Sequence, residues 1–388
     1  MRITWVTRSF LDYRIPIYKE INRLTGDQLT VIYYSDVVPD RCTQKLEAVL
    51  GDRAIGLSGE LRIGGRKTNN QSFANQGGLR IPLQPGLVKT VRETRPELLL
   101  SDGFFQWTYA PLLLNAVLSI PHIMLYERTP HTERNASALR VNARKLAGKF
   151  IDAIGCNGTE TYRYLRAIGI PEDQLFIGNM APDSEGLEKE ASQISDQEIA
   201  SFKAKKSISG PIFLYVGQLI ERKGIHQMLD AWKSFSDDIK DPTLVLIGGG
   251  EQEEELKQKI EAQAIHNVRL LGRVDYSEVA KYYKAADVFL ISTLEDNWSL
   301  VVPEAMSCAL PVACSKYNGC WPELVKPENG WVFDPLDQQN FVATLREIWD
   351  RRAEWGSMGE ASKAIIIEHT PEKVAQKIYA ACLNAQNR

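Results

Sequence analysis

The sequence holds no Cys-x-x-Cys pair. Its six cysteines are Cys42, Cys156, Cys308, Cys314, Cys320 and Cys382, and Cys308, Cys314 and Cys320 recur every six residues. That spacing fits neither a zinc ligand set nor a small disulfide scaffold. Reduced, mostly buried thiols in a cytoplasmic protein are expected, with no metal site. No apolar run approaches the roughly 20 residues that cross a bilayer. The opening Met1-Arg-Ile-Thr-Trp-Val-Thr-Arg8 reads as a strand and not as a secretory leader, so any membrane contact is expected to be peripheral. Gly248-Gly-Gly250 lacks the G-x-G-x-x-G spacing and precedes an acidic helix, which argues against a nicotinamide site. No cofactor and no nucleic-acid partner is expected.

What is present is ample chain with ordinary composition. The 388 residues suffice for two cores. The net charge of −3 conceals an asymmetry, because residues 1–180 carry 23 Lys/Arg against 17 Asp/Glu. A basic first half suits an anionic lipid or an anionic acceptor, although solvated surface charge accounts for any single residue in it. Short apolar runs alternate with helical segments throughout. In the first half, strands are expected at 3–7, 29–35, 97–102, 122–127, 152–157 and 174–179, with helices at 15–24 and 83–94 and a basic helix over 133–150. In the second half, strands are expected at 211–217, 243–248, 268–272, 288–292, 311–315 and 330–334, and helices at 225–235, 251–263, 277–286 and 304–309. Such β-α alternation predicts doubly wound, mostly parallel sheets. Residues 186–210 read as a linker, with a short helix near 196–206, between a domain over 1–185 and another over 211–371. A final helix over 372–388 is a candidate to return to the first domain.

One stretch organises the rest. Val288 to Ser292 is a strand, an acidic loop follows, Pro303 opens a short helix, and Pro311 to Ser315 is a second strand. A helix start offers unpaired N–H groups and a positive dipole end, which attract anions. Asp296 and Glu304 flank that turn, eight positions apart, and carboxylates accept hydrogen bonds from hydroxyl groups. A sugar nucleotide, with its diphosphate and its sugar hydroxyls, suits the layout. An acid-capped helix with nothing bound is the plainer alternative. A second signal is Leu214-Tyr-Val-Gly-Gln-Leu-Ile-Glu-Arg-Lys-Gly224, in which a strand ends at Gly217 and a polar turn carries Arg222 and Lys223. An Arg fork and a compact Lys charge on a strand-to-helix loop suit a diphosphate. Gly248-Gly-Gly250 permits close backbone approach to a ligand.

Taken in order, Val-Gly-Gln-Leu-Ile-Glu-Arg-Lys-Gly, Leu-Ile-Gly-Gly-Gly, Leu-Gly-Arg-Val, Ala-Ala-Asp-Val-Phe-Leu and Pro-Glu-Ala-Met-Ser-Cys-Ala-Leu-Pro-Val make this domain resemble the retaining sugar-nucleotide glycosyltransferases of family four. The resemblance implies the GT-B fold: α/β, with two Rossmann-like doubly wound domains facing across a cleft. It implies that Arg222 and Lys223 clamp the diphosphate and stabilise the leaving group. Asp296 would hold the transferred sugar, and Glu304 the ribose. Gly217, Asn297, Trp298 and the backbone of Ser299, Leu300 and Val301 would complete the donor site, with Val274 near the base. The family's acidic pair is two Glu, whereas here Asp296 takes the first place with Glu295 beside it. The resemblance further implies front-face attack with retention, no metal, and a diphosphate oxygen that takes the acceptor proton.

The first domain lacks the family's glycine-rich loop, since Arg8-Ser-Phe-Leu-Asp-Tyr-Arg-Ile-Pro16 contains no glycine, and Arg14 is the candidate to replace its amides. Glu127 and His131 are candidates for acceptor orientation or proton handling, against a plain capping role. Phe104, Phe105 and Trp107 suit either a sugar face or the core. Arg134, Arg140, Arg144, Lys145 and Lys149 suit either a lipid surface or solvent. The expected activity is transfer of a sugar, UDP-linked by family frequency, to a saccharide, glycolipid or lipid-linked acceptor. A nucleotide-sugar-binding protein with little turnover and a sugar-nucleotide epimerase are the competing readings. Peripheral membrane contact through the first domain is compatible with a cytoplasmic location.

Overall fold

The computed structural model describes residues 1–63, 81–178, 180–181, 185–206, 208 and 210–387. The chain divides into two compact units, Met1–Asp183 with His369–Arg388, and Ser184–Glu368. The first unit is built on a parallel sheet of β1 (Ile3–Val6), β2 (Leu29–Tyr34), β3 (Ala54–Leu57), β6 (Leu98–Asp102), β7 (His122–Tyr126), β8 (Ala153–Cys156) and β9 (Leu175–Ile177), in the order β3-β2-β1-β6-β7-β8-β9. A small antiparallel pair, β4 (Leu61–Ile63) and β5 (Ile81–Leu83), stands apart from it. The second unit holds β10 (Ile212–Val216), β11 (Thr243–Ile247), β12 (Val268–Leu270), β13 (Val288–Ile291), β14 (Val312–Ser315) and β15 (Gly330–Phe333), all parallel, in the order β12-β11-β10-β13-β14-β15.

The central strands are unbroken apolar runs such as Ile212-Phe-Leu-Tyr-Val216 and Thr243-Leu-Val-Leu-Ile247. Such runs belong in parallel sheets because helices cover both faces. Trp232 and Phe235, on the helix Ile225–Ser236, close on Phe213 of β10 with ring centroids 5.3 and 6.1 Å apart, and Trp355 meets the same ring edge-on at 5.8 Å. All six cysteines are free, and all but Cys308 are fully buried. No helix among the described residues is long and apolar enough to cross a membrane.

Several local expectations change. The stretch read as a linker carries, besides the short helix expected near 196–206, which forms as Asp196–Lys205 behind a capping box between Ser195 and Glu198, a further helix at Glu185–Gln193. Leu187, Ala191 and Phe202 are buried there, and Phe202 meets Tyr282 edge-on at 4.8 Å. The helix expected from residue 83 begins at Leu87, because Leu83 pairs with Leu61 as a strand. The helix Pro371–Gln386 packs on the helix Ile15–Leu24 and on β7 and β8, burying Val374, Ile378 and Cys382 in the first unit's core.

His122 of β7 is fully buried. Its Nε2 lies 2.7 Å from Ser101 Oγ and its Nδ1 3.3 Å from the Phe150 carbonyl oxygen. Burial penalises the imidazolium and lowers the pKa from 6.5 to about 4, although the Phe150 carbonyl favours the charged form. The unfolded chain therefore takes up this proton before the folded one does. His122 contributes full stability above pH 6.5, and about 3 kcal/mol of it is lost as pH falls through 6.5 toward 4. Urea unfolding across that window shows the decline, and His122→Gln flattens it.

Candidate active site

The second sheet changes winding direction between β10 and β13, and the loops that follow these strands meet there. Ligands of open α/β sheets bind at such switch points, outside the carboxyl ends of the strands. The loops after β10 and β13 are fastened to each other by bonds to main-chain carbonyls. Leu294 N–H and Glu295 N–H both donate to the Arg222 carbonyl, at 2.8 and 3.2 Å, and Thr293 Oγ1 donates to it at 2.9 Å. Ser292 Oγ donates to the Gly224 carbonyl at 2.9 Å. Gly224 stands at φ 67° with the Ser292 carbonyl 2.2 Å from where a Cβ would lie, so only glycine fits this crossing.

The fastening sets three side chains together. Lys223, 8% exposed, donates from Nζ to Asp296 Oδ2. Arg222 Nη1 stands 3.7 Å from the same oxygen and 3.4 Å from the Glu295 carbonyl, while its side chain stays 42% exposed. Ser299 Oγ donates to Asp296 Oδ2 at 2.7 Å and the Trp298 N–H to Oδ1 at 3.1 Å. Burial alone raises the Asp296 pKa, but Lys223, Ser299 and Arg222 outweigh it and hold the carboxyl below its usual range. Lys223 and Asp296 thus present a neutralised pair, and Arg222 adds an accessible positive charge.

Glu304 is placed by a different neighbour. It accepts from Tyr283 OH at 2.9 Å, on the short helix Val301–Ser307. That helix starts earlier than Pro303, which lies within its first turn because Leu300 and Val301 already have helical geometry. Asn297 Oδ1 is buried and has no hydrogen-bond partner among the described residues. Trp298 and Ser299 are buried, and Val274 is half-buried in the loop after β12. Gly217 caps β10, where a Cβ would meet Tyr215 OH at 2.6 Å. The tri-glycine is used by the chain itself. A Cβ on Gly248 would lie 1.7 Å from the Gly217 carbonyl oxygen, and one on Gly250 2.2 Å from that of Leu219. Sequence reading missed Asn318, fully buried, whose backbone bridges to Asp296 and whose Oδ1 accepts from Ser299 N–H at 3.3 Å. Its only sequence sign is a Tyr317-Asn-Gly319 turn after a strand.

In the first unit, a cavity of about 700 Å³ opens outside β1, β6, β7 and β8. Arg14 and Glu127 line it, as do Phe104 and Phe105, whereas His131 is not among the described lining residues. Trp107 is core and donates from Nε1 to Glu60 at 2.7 Å. Two of the five cations assigned to lipid or solvent turn inward. Arg144 donates to Glu133 at 2.7 Å and Arg140 approaches it at 3.8 Å. Lys145, Lys149, Leu139, Leu146 and Phe150 are exposed.

Two parallel α/β units, with a polar cluster at the switch point of the second, define a protein of the GT-B fold. HepE of Anabaena, solved in complex with UDP, superposes with a TM-score of 0.76 at 17% identity, covering 99% of this chain and 100% of that one. Sucrose-phosphate synthase of Thermosynechococcus elongatus superposes with a TM-score of 0.66 at 15% identity, covering 99% of each chain. Within the second unit, residues 196–364 match the model of the family described as glycosyl transferases group 1. Sulfoquinovosyl transferase SQD2 of Arabidopsis thaliana is 22% identical over 88% of this chain and 64% of its own length. A GDP-mannose-dependent monoacylated alpha-(1-6)-phosphatidylinositol monomannoside mannosyltransferase of Corynebacterium glutamicum is 28% identical over 39% of this chain and 42% of its own. The chain thus spans under two thirds of the length of both curated relatives.

Proposed function

We propose that the protein is a retaining glycosyltransferase that moves a sugar from a nucleoside-diphosphate donor to a hydroxyl acceptor. The observation that carries this is the convergence of Arg222, Lys223 and Asp296 at the switch point of a group 1 domain. Arg222 and Lys223 meet the diphosphate and stabilise the charge that develops as the glycosidic C–O bond breaks. The acceptor oxygen bonds to the same face of the anomeric carbon, and its proton passes to the departing phosphate oxygen. Asp296 holds Lys223 ready and keeps acceptor capacity on Oδ1 for a sugar hydroxyl. Glu304 takes the ribose, Val274 lies by the base, and the backbone of Ser299, Leu300 and Val301 faces phosphate or sugar. Two cations supply the charge stabilisation here, which favours a reaction that needs no metal.

A UDP-linked donor is favoured by the likeness to a structure solved with UDP. A saccharide, glycolipid or lipid-linked acceptor is favoured by the relatives' printed activities. Arg14, Glu127 and His131 form the acceptor side in this reading. Exposed Leu139, Leu146 and Phe150 beside Lys145 and Lys149 suit peripheral contact with an anionic membrane at the cytoplasmic face.

Thermal melting against a panel of nucleotide sugars tests the donor, because a ligand of the folded form raises the melting temperature. A UDP-sugar is expected to do so, with or without chelator, and proton NMR of the product is expected to show a retained anomeric configuration. If no nucleotide sugar shifts the melt, the reading fails. Asp296→Asn is expected to lower turnover more than Glu295→Gln, since Asp296 carries the bond to Lys223. Steady-state rates that rank the two the other way move the sugar-holding role to Glu295.

A further inference from the structure

The first unit's cavity lies where the strand order turns from β1 to β6, the position at which open α/β sheets take ligands. Six arginines line it (Arg8, Arg14, Arg62, Arg128, Arg140 and Arg144) against the acids Asp102, Glu127 and Glu133. Much of that charge is shared out unevenly. Glu133 alone serves Arg144 at 2.7 Å and both Arg128 and Arg140 at 3.8 Å. Arg14 is 8% exposed and reaches Asp102 only at 3.5 Å from Nη2, while its Nη1 has no hydrogen-bond partner among the described residues. Arg144 Nε is likewise buried without one. Asn157, 2% exposed just after β8, has no partner for either side-chain amide atom among the described residues.

Unmade bonds of buried polar groups are costly, and more so when the group is charged. Several such groups around one cavity mark a place that a ligand completes. Their types specify it: guanidinium forks take oxyanions, and an amide takes a hydroxyl as both donor and acceptor. A single fork serves a planar carboxylate. Here forks arrive from the loop after β1 (Arg14), the loop after β7 (Arg128) and the helix Ala138–Ala147 (Arg140 and Arg144), an arrangement for a tetrahedral phosphate. The loop after β6 adds the rings of Phe104 and Phe105, and is held at φ 63° at Phe105 and 64° at Trp107, backbone strain of the kind found at ligand sites.

We infer that this cavity takes a phosphorylated acceptor, a saccharide bearing a phosphate or diphosphate. Its oxyanion lies against Arg14 and Arg128 and a hydroxyl against Asn157. Calling the ligand an acceptor rests on the transferase reading, but the phosphate site itself does not.

The test is calorimetric titration of the full chain with inorganic pyrophosphate, with UDP saturating throughout so that the donor site is occupied. Saturable pyrophosphate binding is expected. Arg14→Gln and the rim variant Arg128→Gln each weaken it about tenfold or more, and Arg14→Lys restores part of the loss. Circular dichroism and melting of each variant report folding, and Arg128, with a side chain 21% exposed, keeps the test valid if Arg14→Gln does not fold. Glucose 1-phosphate and a lipid-linked diphosphosaccharide in micelles then compete for the pyrophosphate site. The stronger competitor identifies the source of the phosphate. Absence of saturable binding, equal affinity in all variants, or equal competition by a neutral disaccharide overturns the inference. Loss of UDP affinity in Arg14→Gln with pyrophosphate binding unchanged also overturns it, and assigns Arg14 to the donor. Failure of UDP to bind at all, or of any product to form, instead removes the transferase reading and leaves the pyrophosphate titration standing.

Discussion

Lys223→Ala is expected to lower turnover about a hundredfold or more, the usual loss when one positioned donor to a developing charge is removed. The same change has a structural cost. Lys223 Nζ is the chief counter-charge of the buried Asp296 carboxylate, and removing one partner of such a pair costs about 3–5 kcal/mol. A double variant separates the two effects. Lys223→Ala with Asp296→Asn no longer buries an uncompensated charge, so its melting temperature is expected to recover while turnover stays low. Recovery of turnover in the double variant assigns Lys223 a purely structural role. pH gives an independent check. The folded state holds the Asp296 carboxyl below its usual range. The pair therefore stabilises the fold above the ordinary carboxylate pKa, and that contribution disappears as pH falls through the lowered folded value. In Lys223→Ala the folded value rises, so this acid-side loss is expected to shrink.

Gly248→Ala is the second large effect. A Cβ there lies 1.7 Å from the Gly217 carbonyl oxygen at a φ of 141°, so the strain is steric and conformational together. Neither party can yield cheaply, because both belong to loops pinned by strand ends. The Gly248 N–H donates to the Gly272 carbonyl at 2.8 Å, and the Gly217 N–H to the Ile247 carbonyl at 2.9 Å. A destabilisation of about 3 kcal/mol or more is expected, at the upper end of overpacking costs. Displacement of the turn that carries Arg222 should weaken donor affinity as well. Gly186→Ala, with nothing within 4 Å of its added Cβ on the helix Glu185–Gln193, is the control and is expected to melt no lower than wild type.

The difference between what the residues announced and what they concealed is physical. The parallel strands were legible because burial on both faces demands unbroken apolar runs, as in Val288-Phe-Leu-Ile291. Arg222, Lys223 and Asp296 were legible because they sit on loops directly after such strands, and their convergence follows from which strands are neighbours. The helix Glu185–Gln193 was obscured by its polar composition, whereas its neighbour near 196–206 was legible. The burial of Leu187 and Phe202 depends on partners about 80 to 115 residues away. The glycines at 248–250 announced close approach without saying to what, since their partner is the Gly217–Leu219 backbone. Arg144 looked like surface charge because nothing on its own helix reveals Glu133, eleven positions earlier, beneath it.

The helix Pro371–Gln386 carries a consequence for biosynthesis. It supplies Val374, Ala375, Ile378, Cys382 and Ala385 to a core otherwise made from the first 181 residues. A ribosome therefore delivers nearly all of the first unit early, yet must translate the entire second unit before the missing apolar layer appears. During that interval the nascent first unit exposes the surface of Ile17, Ile21 and their neighbours, and the second unit completes itself first despite being later in the message.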